Sequence, residues 1–316
     1  MEQRLRAICE AGGAFLRSDA LAVGYDDRTI ARMVKYDVWH RIRWGAYTFE
    51  DIWASADARE RHRITCRAVV RAARAPVVLS HTSAVLEYTD TFWGLDLADV
   101  HVTRLDGRTG RAEAGVRQHR GIVMPGDVSG SGELPVMSPD RAALELTTVT
   151  DTESALVSIN AMLNTGVVDL EDMLRRYESM VTWPHSLKTG LVLRRADGRL
   201  ESAGESRSDH LFWFQDLPRP IPQFPIHDAS GRLVARLDFA WPALRVWVEF
   251  DGVGKYTKHL RPGETTSDAV MREKRREDLV RELTGWICIR ITWADLQHPA
   301  RTAARIRAAF AQQRAA

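Results

Sequence analysis

Several signals are missing from this sequence, and each absence excludes a class of protein. The three cysteines, Cys9, Cys66 and Cys288, lie far apart without a CxxC pair or a Cys/His ligand spacing, which argues against a disulfide framework and a zinc site. No apolar run approaches the length of a membrane span, and the charged N-terminus has no signal-peptide core. We therefore expect a cytoplasmic protein without a membrane partner.

The sequence also lacks a marked excess of basic over acidic residues, or of acidic over basic residues. The 44 basic and 42 acidic side chains leave a formal net charge of +2, so overall charge predicts nothing about nucleic acid. The 316 residues, 45% of them hydrophobic, are enough for two or three folded domains. A nucleic-acid site must therefore be sought in the local placement of residues.

The first fifty residues carry the pattern of three short helices followed by a hairpin. A glycine pair at Gly12 ends the first helical stretch, a second short helix follows, and Asp26 or Asp27 can cap a third. Two strand-like runs then meet at Trp44-Gly45. This order is typical of a winged helix, and we place that domain at residues 1–55.

Five basic side chains of this segment are candidates for contact with DNA. In the third helix, Arg28, Arg32 and Lys35 share the face opposite the apolar one. Arg41 and Arg43 lie in the hairpin. A recognition helix needs donors on its solvent face, and a wing uses cations to hold the DNA backbone. A merely solvated basic face, or a module that binds protein, is the alternative interpretation.

The stretches GGAFLRSDAL and WHRIRWGAYTF, in this order, resemble the N-terminal domain of the AbiEi family of antitoxins and their relatives. The resemblance covers about the first fifty residues and implies sequence-specific DNA binding. The next region, at 56–195, is similar to the middle of AbiEi-like proteins only in its order of elements.

This middle region has the pattern of an α+β domain without visible chemistry. His81 and His119 have no nucleophile or carboxylate at a useful spacing, so a structural or surface role is favoured for each. The glycine-rich segment from Gly126 to Gly132 is typical of a flexible surface loop.

Acidic residues stand out in the last third of the sequence. A strand pattern over Leu233 to Asp238 precedes a turn at Trp241, and a second strand pattern carries Glu249 and Asp251 on one face. If these strands pair as a hairpin, three carboxylates crowd together and repel one another. A hard divalent ion, Mg²⁺ or Mn²⁺, relieves that repulsion and can activate water for attack on a phosphate.

The stretch LDFAWPALRVWVEFDG resembles the D…ExK core of the PD-(D/E)XK nucleases, in particular their very-short-patch-repair-like branch. Carried over residue by residue, the resemblance implies that Asp238 and Glu249 are metal ligands and Asp251 a third acid, which stands where many members have lysine. It also implies that Lys255 orients the water or stabilises the transition state. Glu205, in a helix before the strands, fits the further acid that this superfamily often supplies.

A charged helix pattern over Met271 to Leu283, followed by a strand, matches the helix-strand ending of these nucleases. Arg272 and Arg275 on that helix are candidates for holding phosphates, with a solvated helix face as the alternative. We therefore expect a C-terminal restriction-endonuclease-like α/β/α domain at 196–316, within an α+β and α/β multidomain chain. An ordinary hairpin, its exposed acids neutralised by arginines, is the alternative to the metal site.

Two functional hypotheses follow. The first is a Mg²⁺-dependent DNA endonuclease or nicking enzyme whose winged helix chooses the site, acting in defence against foreign DNA or in repair. The second is a non-enzymatic DNA-binding regulator, such as an AbiEi-like antitoxin and autorepressor, with an inactive nuclease fold. The expected partners are DNA and, beyond it, a second copy of the chain or a cognate toxin.

Overall fold

The computed structural model describes residues 1–108, 112–129, 134–252 and 265–315. The chain divides into two compact units, the first made of Met1–Ser158 with Gly166–Arg195 and the second of Ile159–Thr165 with Ala196–Ala316. No helix among these described residues has both the length and the apolar content that crossing a bilayer requires. Both units combine helices with a sheet, so the fold is mixed α and β, as expected.

The first elements of the first unit follow the predicted order of three helices and a hairpin. Gly13, with a φ of 74°, ends the first helix in the left-handed conformation, and Asp26 caps the third by accepting the Thr29 amide at 2.7 Å. A short strand that the sequence does not predict, β1, joins the hairpin in a sheet of order β1-β3-β2. The elements are α1 (Glu2–Gly12), β1 (Phe15–Leu16), α2 (Arg17–Ala22), α3 (Asp27–Lys35), β2 (Trp39–Arg43), β3 (Ala46–Phe49) and α4 (Glu50–Ser55).

The remainder of the first unit surrounds a six-stranded sheet of order β6-β7-β5-β4-β9-β8. Strand β5 is parallel to β7, and β4 is parallel to β9. The elements are α5 (Ala58–Ala72), β4 (Val77–Leu79), α6 (His81–Val85), β5 (Val100–Arg104), β6 (Ala112–Glu113), β7 (Val116–Arg120), β8 (Val128–Ser129), β9 (Val136–Met137), α7 (Pro139–Val149), α8 (Thr152–Asn164), α9 (Leu170–Met180) and α10 (Leu187–Arg195). Helix α8 contributes to both units.

The segment that begins at Gly126, predicted to be a surface loop, has a buried second residue, Asp127. Asp127 is 3% exposed and forms ion pairs with Arg141 of α7 and Arg176 of α9. Its neighbours Val128–Ser129 form β8 beside β9. The expectation of an exposed loop is therefore wrong for Asp127, because two guanidinium groups stabilise its charge inside the fold.

The second unit follows the order helix, three strands, helix, strand. Its sheet has the order β10-β11-β12-β13; the first three strands are antiparallel, and β13 runs parallel to β12. The elements are α11 (Ala203–Phe214), β10 (Ile221–His227), β11 (Leu233–Trp241), a 3-10 turn (Pro242–Leu244), β12 (Val246–Asp251), α12 (Thr266–Thr284), β13 (Ile287–Thr292), α13 (Trp293–Leu296) and α14 (Pro299–Ala315).

Two apolar clusters place helices on both faces of this sheet. Phe212 of α11 and Phe310 of α14 pack against one face together with Val248. Val280 of α12 packs against the other face together with Trp247. Val248 and Trp247 are neighbours on β12, so their side chains point to opposite faces. The second unit therefore has three layers, α/β/α.

Candidate functional site

The three acids predicted to bind a metal ion and the further predicted acid, Glu205, come from two adjoining strands and one helix of the second unit. Glu205 lies in the first turn of α11, Asp238 lies in β11, and Glu249 and Asp251 lie in β12. Strands β11 and β12 pair antiparallel, as the hairpin prediction requires. The register brings Asp238 next to the part of β12 that carries the other two acids.

Asp238 lies at a change in the packing of β11. Leu237 belongs to the apolar cluster that includes α12, whereas Phe239 belongs to the cluster that includes α11. Asp238 therefore lies where the buried side chains of β11 pass from one face of the sheet to the other. Its Oδ2 accepts a hydrogen bond from the backbone amide of Phe250 at 2.8 Å. This bond holds the carboxylate against β12, at the residue between the two acids of that strand.

Glu205 is 7% exposed and accepts three hydrogen bonds. The Ser202 hydroxyl donates to Oε1 at 2.8 Å, and the Glu201 amide donates to Oε2 at 3.1 Å, which stabilises the start of α11. Gln223 of β10 donates its side-chain amide to Oε2 at 2.8 Å. Burial, and then the nearby charge of Asp238, raises the pKa of Glu205 to about 7.

This raised pKa predicts a pH dependence of stability for the metal-free protein. The folded state holds the Glu205 proton up to about pH 7, whereas an ordinary glutamate loses it near 4.5. The free energy of unfolding should therefore fall as the pH rises from 4.5 to 7 and then level off. The contribution of this group should be about 3 kcal/mol at most.

Urea unfolding across this pH range, in the presence of a chelator, tests the prediction. The difference in unfolding free energy between wild type and Glu205→Gln should change by about 2 to 3 kcal/mol over the window. The same difference for Glu282→Gln, an exposed glutamate of α12, should stay constant. Parallel curves for wild type and Glu205→Gln would contradict the assigned pKa.

Glu249 is the most deeply buried acid of β12. It is 3% exposed, and neither of its carboxylate oxygens reaches solvent. Arg276 of α12 places Nη2 at 3.1 Å from Oε2. Leu237, Trp247 and Val280 are among the side chains that surround this pair. A carboxylate removed from water in this way requires a cation, and Arg276 supplies one.

Asp251 is less buried and also faces an arginine. Its Oδ2 lies 3.5 Å from Nη1 of Arg290, and Nη2 of the same guanidinium lies 2.7 Å from Glu277. Arg290 is therefore shared between two acids. Lys255, the predicted partner of the acids, lies outside the described residues.

In the part of the chain that the structure describes, no three of these acids lie close enough together to share a metal ion. There, the ligating side chains close enough to share a metal ion are three histidines of the first unit, and not these carboxylates. Glu205 is instead near Asp238, whereas Glu249 and Asp251 each face an arginine. The two acids of β12 are thus compensated by arginines of α12 and β13, which reduces the repulsion expected from three crowded carboxylates.

The position of Glu205 relative to β12 depends on a glycine. A methyl group at Gly204 would overlap the ring of Phe250, which is itself in the core. Gly204→Ala should therefore lower the free energy of unfolding by about 2 kcal/mol, as overpacking does. Gly12→Ala is the control, because a methyl group at Gly12 would have no atom within 4 Å and alanine has the higher helix propensity. Urea unfolding measures both, and equal stability of the two variants would contradict the close packing of α11 on β12.

The basic face predicted for DNA contact is exposed on α3. Arg28, Arg32 and Lys35 are accessible to solvent, whereas Ile30 of the same helix is 4% exposed and belongs to the core. We call these three cations the α3 basic face. Its separation from the core leaves all three side chains able to reach a partner.

The hairpin adds cations and an aromatic ring. Arg41 is exposed, and its guanidinium lies 5.9 Å from the ring centre of Trp44, which is 88% exposed at the tip. Arg43 is half-buried and lines a cavity of about 760 Å³ together with Arg74 and Arg104. The sequence does not predict this cavity, because it joins residues that are far apart along the chain.

The two arginines predicted to hold phosphates lie on α12. Arg275 is exposed and Arg272 is partly buried. Arg276, the residue after Arg275, is the partner of Glu249, and the sequence pattern does not predict this role. Its role depends on the packing of α12 on the sheet, which leaves no local signal in a run of charged residues.

Comparison with known proteins adds little to this geometry. No protein-family model matches the chain. A stretch of 125 residues, 38% of the chain, is 37% identical to an uncharacterized protein of Mycobacterium tuberculosis strain CDC 1551 and equally to one of strain H37Rv. The stretch covers 42% of each of them, so the chain spans less than half the length of these relatives.

Proposed function

We propose that the chain is a metal-dependent deoxyribonuclease that hydrolyses phosphodiester bonds in DNA. The observation that carries the proposal is the position of Asp238. Its carboxylate is hydrogen-bonded to β12 at Phe250, between Glu249 and Asp251, and its charge adds to the effect of burial in raising the pKa of Glu205. Asp238 thus lies next to Glu205 and next to the part of β12 that carries Glu249 and Asp251.

The order of elements supports the same proposal. A helix, the antiparallel pair β11 and β12, a helix and a strand follow the order expected from the resemblance to the PD-(D/E)XK nucleases, and β10 is a further strand that the sequence does not predict. Asp238 and Glu249 lie on the two strands where that resemblance requires the metal ligands. A helix on each face of the sheet agrees with the same fold.

The donor set fits Mg²⁺ or Mn²⁺ in its chemistry. Carboxylate oxygens are the ligands these ions prefer, and the effect of Asp238 on Glu205 is a like-charge repulsion that a cation would relieve. Asp238 and Glu249 would hold the ion, with Asp251 as the third acid. When bound, the ion would supply an activated water and stabilise charge on the phosphate. Arg276 competes with it for Glu249, so binding requires this ion pair to open.

The first unit would bring DNA to this site. The α3 basic face supplies donors for the major groove, and Arg41 with the exposed ring of Trp44 supplies a wing tip for the backbone. A winged helix is the domain that this order of helices and strands fits. Defence against foreign DNA or DNA repair would use such an enzyme.

One observation favours a second candidate, a DNA-binding regulator or AbiEi-like antitoxin without catalysis. Arg276 and Arg290 already neutralise Glu249 and Asp251, as they would in a nuclease fold kept only as a structural module. Such a protein needs the α3 basic face but not the acids.

Incubation of the full chain with supercoiled plasmid and Mg²⁺ or Mn²⁺ tests the proposal. A nuclease gives nicked or linear products that a chelator abolishes. Retarded plasmid without any product, over a wide range of protein and metal concentrations, would reject the nuclease and support the regulator.

A further inference from the structure

Three histidines of the first unit, far apart in sequence, meet in space. His81 begins α6, His101 lies in β5 and His119 lies in β7. One ring nitrogen from each lies within 4.8 Å of those of the other two. His81 and His101 are buried, and His119 is partly buried.

The surrounding structure holds the backbone of His101 and the ring of His81 in place. The backbone amide of His101 donates to the Ser83 hydroxyl at 2.9 Å, and Nδ1 of His81 lies 2.9 Å from the Ser80 hydroxyl. His81 has a φ of 51°, a left-handed conformation that is uncommon for a residue with a side chain. Strain of this kind persists where the fold over-determines a position, and it is concentrated at functional sites.

The three rings are held in the form that binds metals. Nε2 of His119 and Nδ1 of His101 are 3.0 Å apart, so one ring donates and the other accepts through an unprotonated nitrogen. The rings of His81 and His119 stack with centres 3.7 Å apart, which two imidazolium cations would resist.

One side of the group opens into a cavity. His81 and His119 line a space of about 440 Å³ that is also bounded by Arg117, Arg120 and Glu145. Glu145 is almost fully buried, and its Oε2 lies 3.6 Å from Nδ1 of His81. A carboxylate next to a ligating histidine is the usual outer partner at such sites, because it orients the ring.

We propose that His81, His101 and His119 bind a divalent transition-metal ion of the Zn²⁺ type, with a further coordination position facing the cavity. Imidazole nitrogens suit zinc, copper, nickel and iron, whereas Mg²⁺ requires oxygen ligands. Three protein ligands with an open position are the pattern of reactive rather than purely structural zinc sites. Binding replaces the hydrogen bond between His101 and His119. This site is separate from the carboxylates of the second unit and does not rest on the proposed nuclease.

Titration of the full-length chain, first freed of metal with a chelator, with Co²⁺ and Zn²⁺ tests the site. Co²⁺ should give the visible d–d absorption of a low-coordinate nitrogen site at one equivalent, and Zn²⁺ should abolish it. His119→Ala should weaken Zn²⁺ binding at least about 100-fold, because it removes one of three ligands. His185→Ala, on the wall of the same cavity, should bind as wild type does.

Two further measurements keep the result interpretable. Circular dichroism checks that His119→Ala folds, and His119→Gln serves as a second variant that keeps a polar side chain of similar length. Glu249→Gln should retain the Co²⁺ spectrum, because the acids lie in the other unit. The absence of a Co²⁺ signal in wild type, or an unchanged Zn²⁺ affinity in folded His119→Ala and His119→Gln, would overturn the site and leave a hydrogen-bonded histidine core.

Discussion

Glu249→Gln is expected to abolish Mg²⁺-dependent cleavage of plasmid DNA, lowering the rate by about 10³-fold or more. An amide of the same size keeps the shape of the side chain but removes the charge that a metal ligand of this kind supplies. Loss of metal activation and charge stabilisation corresponds to several kcal/mol in the barrier, and each 1.4 kcal/mol is about tenfold in rate. The rate of nicking, measured by gel densitometry, gives the effect.

The controls separate chemistry from folding and from DNA binding. Glu282 of α12 is exposed, so Glu282→Gln should cleave DNA as wild type does. Glu249→Gln should bind duplex DNA with unchanged affinity, because the α3 basic face is not altered. Glu249→Gln also leaves Arg276 without its charged partner, so circular dichroism must show that it folds. Wild-type cleavage by a folded Glu249→Gln protein would rule out its role as a metal ligand.

Replacement of Arg28, Arg32 and Lys35 together by alanine is expected to weaken binding of a mixed-sequence duplex about 100-fold at physiological salt. Each cation that neutralises a phosphate releases a counterion, which contributes about 0.9 to the slope of log affinity against log salt. The magnitude of that slope should therefore decrease by about 2 to 3. Fluorescence anisotropy at several salt concentrations measures both quantities.

A variant of equal charge loss provides the comparison. Arg4, Arg301 and Arg314 are exposed on α1 and α14, and their replacement by alanine removes three charges from other surfaces. This variant should change the slope by less than one and the affinity only slightly. Equal losses from both triple variants would mean that DNA binding depends on charge in general, and that α3 is not the DNA-reading helix.

The secondary structure of both ends of the chain could be predicted because the signals there are local. Asp26 and the glycine pair at Gly13 begin and end helices where the sequence indicates. The alternation that predicts the hairpin also fixes which residues of β12 share a face. The two-residue strand β1 could not be predicted, because so short a strand has no pattern of its own.

The electrostatic environment of the acids could not be predicted in the same way. Arg276 lies in a helix with many charged residues, and nothing local distinguishes it from Arg275, which remains exposed. Only the packing of α12 on the sheet turns one arginine towards Glu249. The alternative interpretation, in which arginines neutralise exposed acids of the hairpin, is therefore right about the arginines for Glu249 and Asp251. It is wrong about exposure for Glu249, which is buried.

The histidines illustrate the same limit. His81 and His119 have no partner nearby in sequence, which favours structural roles, and no sequence pattern marks His101 as a functional residue. The parallel pairing of β5 with β7 and the start of α6 bring them together with Glu145, 64 positions after His81. Long-range pairing of this kind leaves no periodic signal in a single sequence.

Diffraction from crystals grown with Mn²⁺, recorded for its anomalous scattering, tests most directly whether the acids of the second unit bind a divalent ion. We expect a peak at the carboxylates of Asp238 and Glu249, with Arg276 withdrawn from Glu249. Absence of any peak there at millimolar Mn²⁺, with the pair of Glu249 and Arg276 intact, would contradict metal binding by these acids.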